Sequence, residues 1–426
     1  MSTRRSFLKS ATLAGAAFAI RSGANAETLC SPLPRPIADL KSMKDEAAPI
    51  SVAERQLRQE EARDLMRSNR IDAILLMEGT SLNYFTGIRW WGGERLFAMV
   101  LPQNKKAFFV CPAFEEGRAS ELLAGSPNAD GDILTWQEDQ NPYELVAAEL
   151  KDRGLSASTL GMDETVRYVF SSGIAKAAPH ARIVSATPVT AGCRMIKTDH
   201  EVALMRLAAR VTLTAYEALY HSISEGMTQA HAESLVSAAY EKLGFPGEAS
   251  VEVDAYSASP HGSNVPQVIR EGSIIMIDDG CKVEGYVSDI TRTFTLGKAT
   301  EKMKQVFAIV HRAQAAALQA ARPGVECQTI DAAARKVISD AGYGPDYKYF
   351  THRLGHGMGM DGHEWPYLVR GNTTLLAANM TTSDEPGIYL PGEFGIRLED
   401  DMHVTEDGAE LFTAQSPSLE EPFAKA

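Results

Sequence analysis

The stretch Ser273–Leu296, SIIMIDDGCKVEGYVSDITRTFTL, constrains the chain more than any other. Residues 273–277 run apolar, Gly280–Gly285 carries turn chemistry, and Tyr286–Leu296 alternates in a β-branched, aromatic-rich pattern. The pattern predicts two β-strands joined by a turn. Asp278 closes the first strand and Asp289 falls in the middle of the second. A carboxylate within strand sequence is costly to bury unless it is paired, hydrogen-bonded or bound to metal. Two on adjacent strands repel each other unless a cation lies between them. Either these are two solvated carboxylates on an exposed sheet face, or the hairpin is half of a cation site.

With 426 residues and 44% hydrophobic content, the chain can bury a large core and is expected to form two globular domains. A net charge of −13 argues against nucleic acid as a partner, because phosphate backbones demand concentrated Lys and Arg. Beyond the N-terminus no apolar run is long enough to span a bilayer. Residues 1–26 read as a targeting segment. Arg4 and Arg5 precede Ser6-Phe7-Leu8-Lys9, an apolar region follows to Ile20, and Ala24-Asn25-Ala26 is a small-residue cleavage site. This resembles a twin-arginine signal, so an exported, periplasmic protein that folds before export is expected. An ordinary basic N-terminal helix is the competing reading. The five cysteines are scattered and lack CxxC spacing, which indicates neither a zinc knuckle nor a disulfide framework.

Residues 27–50 read as a linker or surface arm. Residues 51–190 alternate helix and strand, which predicts a small α/β domain. It opens with an amphipathic helix over Val52–Asn69 whose apolar positions are Leu57, Ala62, Leu65 and Met66. Its one odd segment contains Trp90 and Trp91, flanked by glycines. They are read as a packed loop or as part of a substrate pocket, which a neighbouring subunit could own. From residue 191 to the C-terminus, long helices segregate from a largely antiparallel set of strands, an α+β arrangement. Thr198 or Asp199 caps the first of these helices, and Ser250–Ser259 is expected to be strand.

Four polar clusters follow in order within this second domain. His261 lies in SPHG, and the aspartate pair comes next. His352, His356 and His363 occupy THRLGHGMGMDGHEWP, where Gly355, Gly357 and Gly359 permit close backbone approach. Glu385 sits in SDEPGIYLPG and Glu399 in GIRLEDD. Two aspartates, one histidine and two glutamates form a hard, oxygen-rich ligand set with one imidazole. Carboxylates can bridge, so five such ligands suffice for a dinuclear site with a water between the ions. Such a site suits amide hydrolysis.

Together IDDG…GYVSDITRTF, GHGMGMDGHE, DEPGIY and RLEDD resemble the motifs of the M24 metallopeptidases, over about residues 196–412. These share the pita-bread fold of methionine aminopeptidase, prolidase, aminopeptidase P and creatinase. The upstream α/β domain resembles the creatinase-type N-terminal domain, which favours the prolidase and aminopeptidase P branch. The resemblance implies a pita-bread catalytic domain and a peptidase cleaving Xaa-Pro bonds in small proline-containing peptides. It further implies two divalent ions (Mn, Co or Zn) held by Asp278, Asp289, His356, Glu385 and Glu399. Asp289 and Glu399 would bridge, and Glu385 would also shuttle a proton. His261 and His363 would contact the scissile amide and its oxyanion. His352, Arg397 and Tyr389 would take substrate or supporting positions, and a homodimer is expected. Asp279 departs from the apolar residue usual beside the first ligand, and no role follows for it from sequence. Two other readings stay open: a non-catalytic binding protein on the same fold, and a lyase or amidinohydrolase-type activity on the same scaffold.

Overall fold

A computed structural model describes residues 32–423; the proposed export segment and Cys30 lie outside them. Residues 52–195 are built on a six-stranded sheet. Its strand order is Asp132–Trp136, Phe108–Pro112, Ala98–Pro102, Ala73–Leu76, Thr159–Met162, Arg182–Ser185. The central strand Ala73–Leu76 runs antiparallel to Ala98–Pro102 and parallel to Thr159–Met162. All four of its side chains are buried, because the two-residue period of a strand sends them to opposite faces and helices cover both. Ile74 and Leu76 enter one core with Ala62, Met66 and Val189, and Ala73 and Leu75 enter another with Val146, Phe170 and Ile174.

The first helix forms over Val52–Asn69 as the sequence predicts, with a capping box from Ser51 and Glu54 that satisfies two orphan amides. Ala62 and Met66 are buried and Leu65 packs beside them as expected, but the N-terminal half of the face differs. Leu57 is 63% exposed, whereas Arg58 and Gln59 are buried. Arg58 is held inside by Glu201 at 3.1 Å and by the Tyr286 hydroxyl at 2.7 Å, both from the following domain. The predicted arm is partly internal. Its short helix Arg35–Ala38 buries Ile37, and Ile50 joins the same core as Leu204 and Tyr240.

The second domain is antiparallel throughout its ladders. One three-stranded sheet orders Arg292–Thr295, Ile274–Asp278, Ser250–Val253, and one five-stranded sheet orders Glu364–Leu368, Gly355–Gly357, Thr381–Asp384, Asp400–Val404, Ala409–Leu411. The helix pair Asp199–Tyr220 and Gln229–Leu243 packs on Val251, Ile275 and Ile277. The pair Glu301–Ala320 and Cys327–Ile338 packs on Ile274, Ile388 and Met402. The strand Ile274–Asp278 therefore feeds both cores from alternate positions, which explains its unbroken apolar run. Thr198 caps the first helix in a capping box with Glu201.

Two sequence expectations change here. Ser250–Ser259 is strand only to Val253 and then a 3-10 turn over Asp254–Ala258. Asp289 lies outside the ladder rather than in mid-strand. The chain after Asp278 bulges into its own short ladder, Lys282–Val283 with Tyr286–Val287, and pairing with Ile274–Asp278 resumes only at Arg292. The Asp289 amide is satisfied instead by Asp401 Oδ1 at 3.1 Å. No helix among the described residues is long and apolar enough to cross a membrane.

Candidate metal centre and active site

Asp278 ends its strand opposite Ser250, and the bulge returns Asp289 to its side. The five-stranded sheet supplies His356, and the turns around its neighbouring strands supply Glu385 and Glu399. The seat of His356 is set by its glycines: a Cβ on Gly355 would lie 2.1 Å from the Ser383 carbonyl, and one on Gly357 2.3 Å from that of Trp365. His356 Nδ1 lies 3.1 Å from the Gly357 carbonyl. That contact places the proton on Nδ1 and leaves Nε2 free as a ligand atom.

Ligand atoms of Asp278, Asp289 and Glu399 all lie within 4.8 Å of one another, as do those of His356, Glu385 and Glu399, and of Asp289, His356 and His363. Two overlapping donor sets share Glu399, and Asp289 belongs to a set with each side. Burial raises the carboxyls of Asp289 and Glu399 well above the ordinary range, each reinforced by neighbouring carboxylates. Glu385 is pushed up to about 8 by burial, against the pull of Arg397. Asp278 goes the other way: burial opposes its charge, but the Arg397 guanidinium holds its carboxyl down. Four clustered carboxylates, Glu399 buried and the other three half-buried, face one guanidinium, and bridging carboxylates with one imidazole suit a pair of divalent cations. The residues present fit the metal ions that the sequence motifs imply.

The supporting contacts are dense. The Thr291 hydroxyl lies 2.5 Å from Asp278 Oδ1 and 2.6 Å from Glu399 Oε2, and accepts from Arg397 Nε at 2.9 Å. Arg397 also donates to the Tyr389 hydroxyl at 2.9 Å and to the Pro260 carbonyl at 3.0 Å, tying the His261 loop to the centre. His352 Nε2 is 2.7 Å from the Tyr389 hydroxyl, and its Nδ1 is 3.6 Å from Glu385. Burial lowers His352 and His356 to about 3, so both are neutral imidazoles near pH 7. The His363 ring stacks on His356 with centroids 3.7 Å apart.

One cavity of about 490 Å³ gathers His261, Asp278, Asp289, His352, His356, His363, Glu385, Arg397 and Glu399. Tyr389 is buried behind it. Trp90 and Trp91 do not line it: Trp90 stacks on Phe97 at 3.9 Å, and Trp91 is 61% exposed. Sequence reasoning missed Arg353, Ser250, Thr291 and Asp401. Arg353, Thr291 and Asp401 lie inside the quoted stretches THRLGHGMGMDGHEWP, GYVSDITRTF and RLEDD and are within reach of sequence; Ser250 carries no motif. Asp279, left without a role, takes φ +93°. Its Oδ2 accepts from the Ser250 amide at 3.1 Å and its carbonyl from the Tyr216 hydroxyl at 2.9 Å. It thus fastens the sharp exit from Asp278 to the next strand, and burial with the adjacent Asp278 raises it to about 7.

Comparison with known proteins agrees with this geometry. Residues 203–406 match metallopeptidase family M24, and residues 58–196 match the creatinase/prolidase N-terminal domain. The chain is 34% identical to a Bacillus subtilis protein named putative dipeptidase YkvY, over 79% of this chain and 92% of that one. It is 31% identical to an Xaa-Pro dipeptidase of Lactobacillus delbrueckii subsp. lactis, over 83% and 96%. The crystal structure of dipeptidase PepE from Mycobacterium ulcerans aligns with a TM-score of 0.81 at 31% identity, covering 88% of this chain and 99% of that one. With its five clustered donors and these relatives, the chain belongs to metallopeptidase family M24.

Proposed function

We propose that the protein hydrolyses Xaa-Pro bonds in small peptides using two divalent ions. The observation that carries this reading is the pair of donor sets sharing Glu399 inside one cavity. In this reading Asp278, Asp289, His356, Glu385 and Glu399 would hold the two ions, with Glu399 and Asp289 within reach of both. Divalent ions held by these residues would supply an acidified water and a polarised scissile carbonyl.

The chain's own groups do the rest. The nitrogen of an Xaa-Pro bond carries no hydrogen, so it leaves as an amine only after gaining a proton. Glu385, facing the cavity beside His356, takes a proton from the attacking water and passes it to that nitrogen. His261 and His363 stand on the cavity wall where an imidazole N–H can meet the developing oxyanion. His352, held by Tyr389, and Arg397 frame the polar end of the cavity. Arg397 keeps Asp278 ionised and therefore able to bind metal.

The relatives named Xaa-Pro dipeptidase support a dipeptidase over an aminopeptidase. Metal-loaded protein is therefore expected to cut Xaa-Pro dipeptides faster than Xaa-Pro-Yaa tripeptides, and dipeptides lacking proline slowest. Equal rates on all three would overturn the specificity. Mn, Co or Zn as the ion, a homodimer, and twin-arginine export to the periplasm belong to the same proposal. Metal analysis, sedimentation and N-terminal sequencing of the mature protein test them in turn.

A further inference from the structure

The turn Met358–His363 joins the strand that carries His356 to the strand Glu364–Leu368. Met358 is buried, and the Gly359 carbonyl accepts from the Val287 amide at 2.8 Å. Beyond Gly359 the apolar packing of the turn comes from Met360, half-buried against the cores of both domains. A cavity of about 730 Å³, lined in part by Thr80, Asn83, Arg89, Met360 and Asp361, opens on that side. The remainder of the turn, Asp361–His363, is fixed by polar contacts from the N-terminal domain and from Lys197 just after it. The Thr80 hydroxyl donates to Asp361 Oδ1 at 2.5 Å. Arg194, at the end of the helix Thr187–Met195, donates to Asp361 Oδ2 at 2.5 Å and also to Glu364. Lys197 Nζ completes the set, 2.8 Å from Glu364 Oε1 and 2.6 Å from the Arg194 carbonyl. Arg194, Lys197 and Glu364 are all buried. Burial works against the Arg194 charge, but Glu364 and Asp361 outweigh it and raise its pKa. Two cations balance two carboxylates, and removing any one leaves a buried partner uncompensated.

We propose that Arg194 and Thr80 are positioning residues through which the N-terminal domain holds His363 against the metal centre. The inference rests on the peptidase reading, in which His363 meets the scissile amide. His363 itself is exposed on its cavity side and has the His356 ring as its stacking partner. Its placement therefore depends on the turn, and a small displacement of a group that binds the transition state lowers turnover steeply.

Asp361→Asn and the milder, nearly isosteric Thr80→Val test this. Each is expected to lower kcat about tenfold while KM and bound metal stay unchanged, as for a contact made in the transition state. In a His363→Ala background the same changes are expected to produce no further loss. Losses that multiply in the double variants, or unchanged turnover in both single variants, overturn the proposal. A second readout does not use activity. In chelated protein the imidazole NMR signals of His363, identified by their disappearance in His363→Ala, are expected to shift in both variants, whereas those of His180 stay fixed. Unmoved His363 signals overturn the positioning role. Failure of wild-type metal-loaded protein to cut Xaa-Pro peptides overturns the peptidase reading alone, and the NMR result still decides the rest.

Discussion

Chelation is expected to make the protein's stability fall as pH rises from 7 to 9. In the metal-free centre burial raises Glu385 from an ordinary 4.5 to about 8, with Arg397 opposing and Asp278 adding to the rise. Burial raises Asp289 and Glu399 as well. At pH 7 the unfolded chain has already released the Glu385 proton, whereas the folded chain still holds it. A carboxyl whose folded pKa is raised contributes stability that is fully present below its unfolded value and is lost as pH climbs through the folded one. For Glu385 alone, moving from pH 7 to 9 removes on the order of 1–2 kcal/mol. Asp289 and Glu399 act in the same direction. Asp278, held down by Arg397, is ionised in both states and adds nothing over this range. His352 and His356, lowered by burial to about 3, are neutral throughout it. Bound divalent ions replace the protons on the ligands, so loaded protein is expected to lose less stability over the same range, keeping only the fall from carboxyls outside the ligand set such as Glu252, raised by burial to about 8, and Asp279, raised to about 7. Urea unfolding of chelated and manganese-loaded protein at pH 7, 8 and 9 measures the difference. Chelated protein that holds or gains stability toward pH 9, or curves that run parallel with and without metal, would refute the reasoning.

Other consequences follow from the same contacts. Gly357→Ala places a methyl 2.3 Å from the Trp365 carbonyl; it is expected to unseat His356 and lower bound metal, read by elemental analysis of the purified variant. Arg397→Met leaves the Asp278 carboxylate buried without its guanidinium, and a loss of about 3–5 kcal/mol in chemical unfolding is expected of a broken buried pair. Tyr389→Phe removes the hydroxyl shared by His352 and Arg397 and is expected to reduce stability by about 1–3 kcal/mol, as for an unsatisfied buried donor, with metal content unchanged.

Much of the centre was legible because its chemistry is local in sequence. Asp278, His356, Glu385 and Glu399 each stand in a short motif whose glycines or strand residues fix the backbone around them. The helices were legible from periodicity and from caps such as Ser51 and Thr198. The illegible features arise from partners distant in the chain. Leu57 fits the apolar face of its helix by spacing, but Arg58 is buried in its place because Glu201 and Tyr286 wait in the other domain. Asp289 read as a strand residue because its neighbours are β-branched, and only the short Lys282–Val287 ladder shows why it leaves the sheet. Thr291 and Asp401 lie inside motifs, but their partners do not show in sequence: one links Arg397 to two of the carboxylates and the other anchors the Asp289 amide. Asp279 looked like a stray charge and turns out to tie a backbone corner at positive φ.

The central claim is that hydrolysis of Xaa-Pro bonds depends on two ions held by these five residues. Its most direct test titrates manganese into chelated protein while following both bound metal per chain and turnover of an Xaa-Pro dipeptide. Turnover is expected to be absent without metal and to reach its plateau as the second ion binds. Asp289→Asn, which lacks a full donor to both sets, is expected to bind fewer ions and to lose turnover. Undiminished turnover in chelated protein, or in Asp289→Asn, would contradict the account.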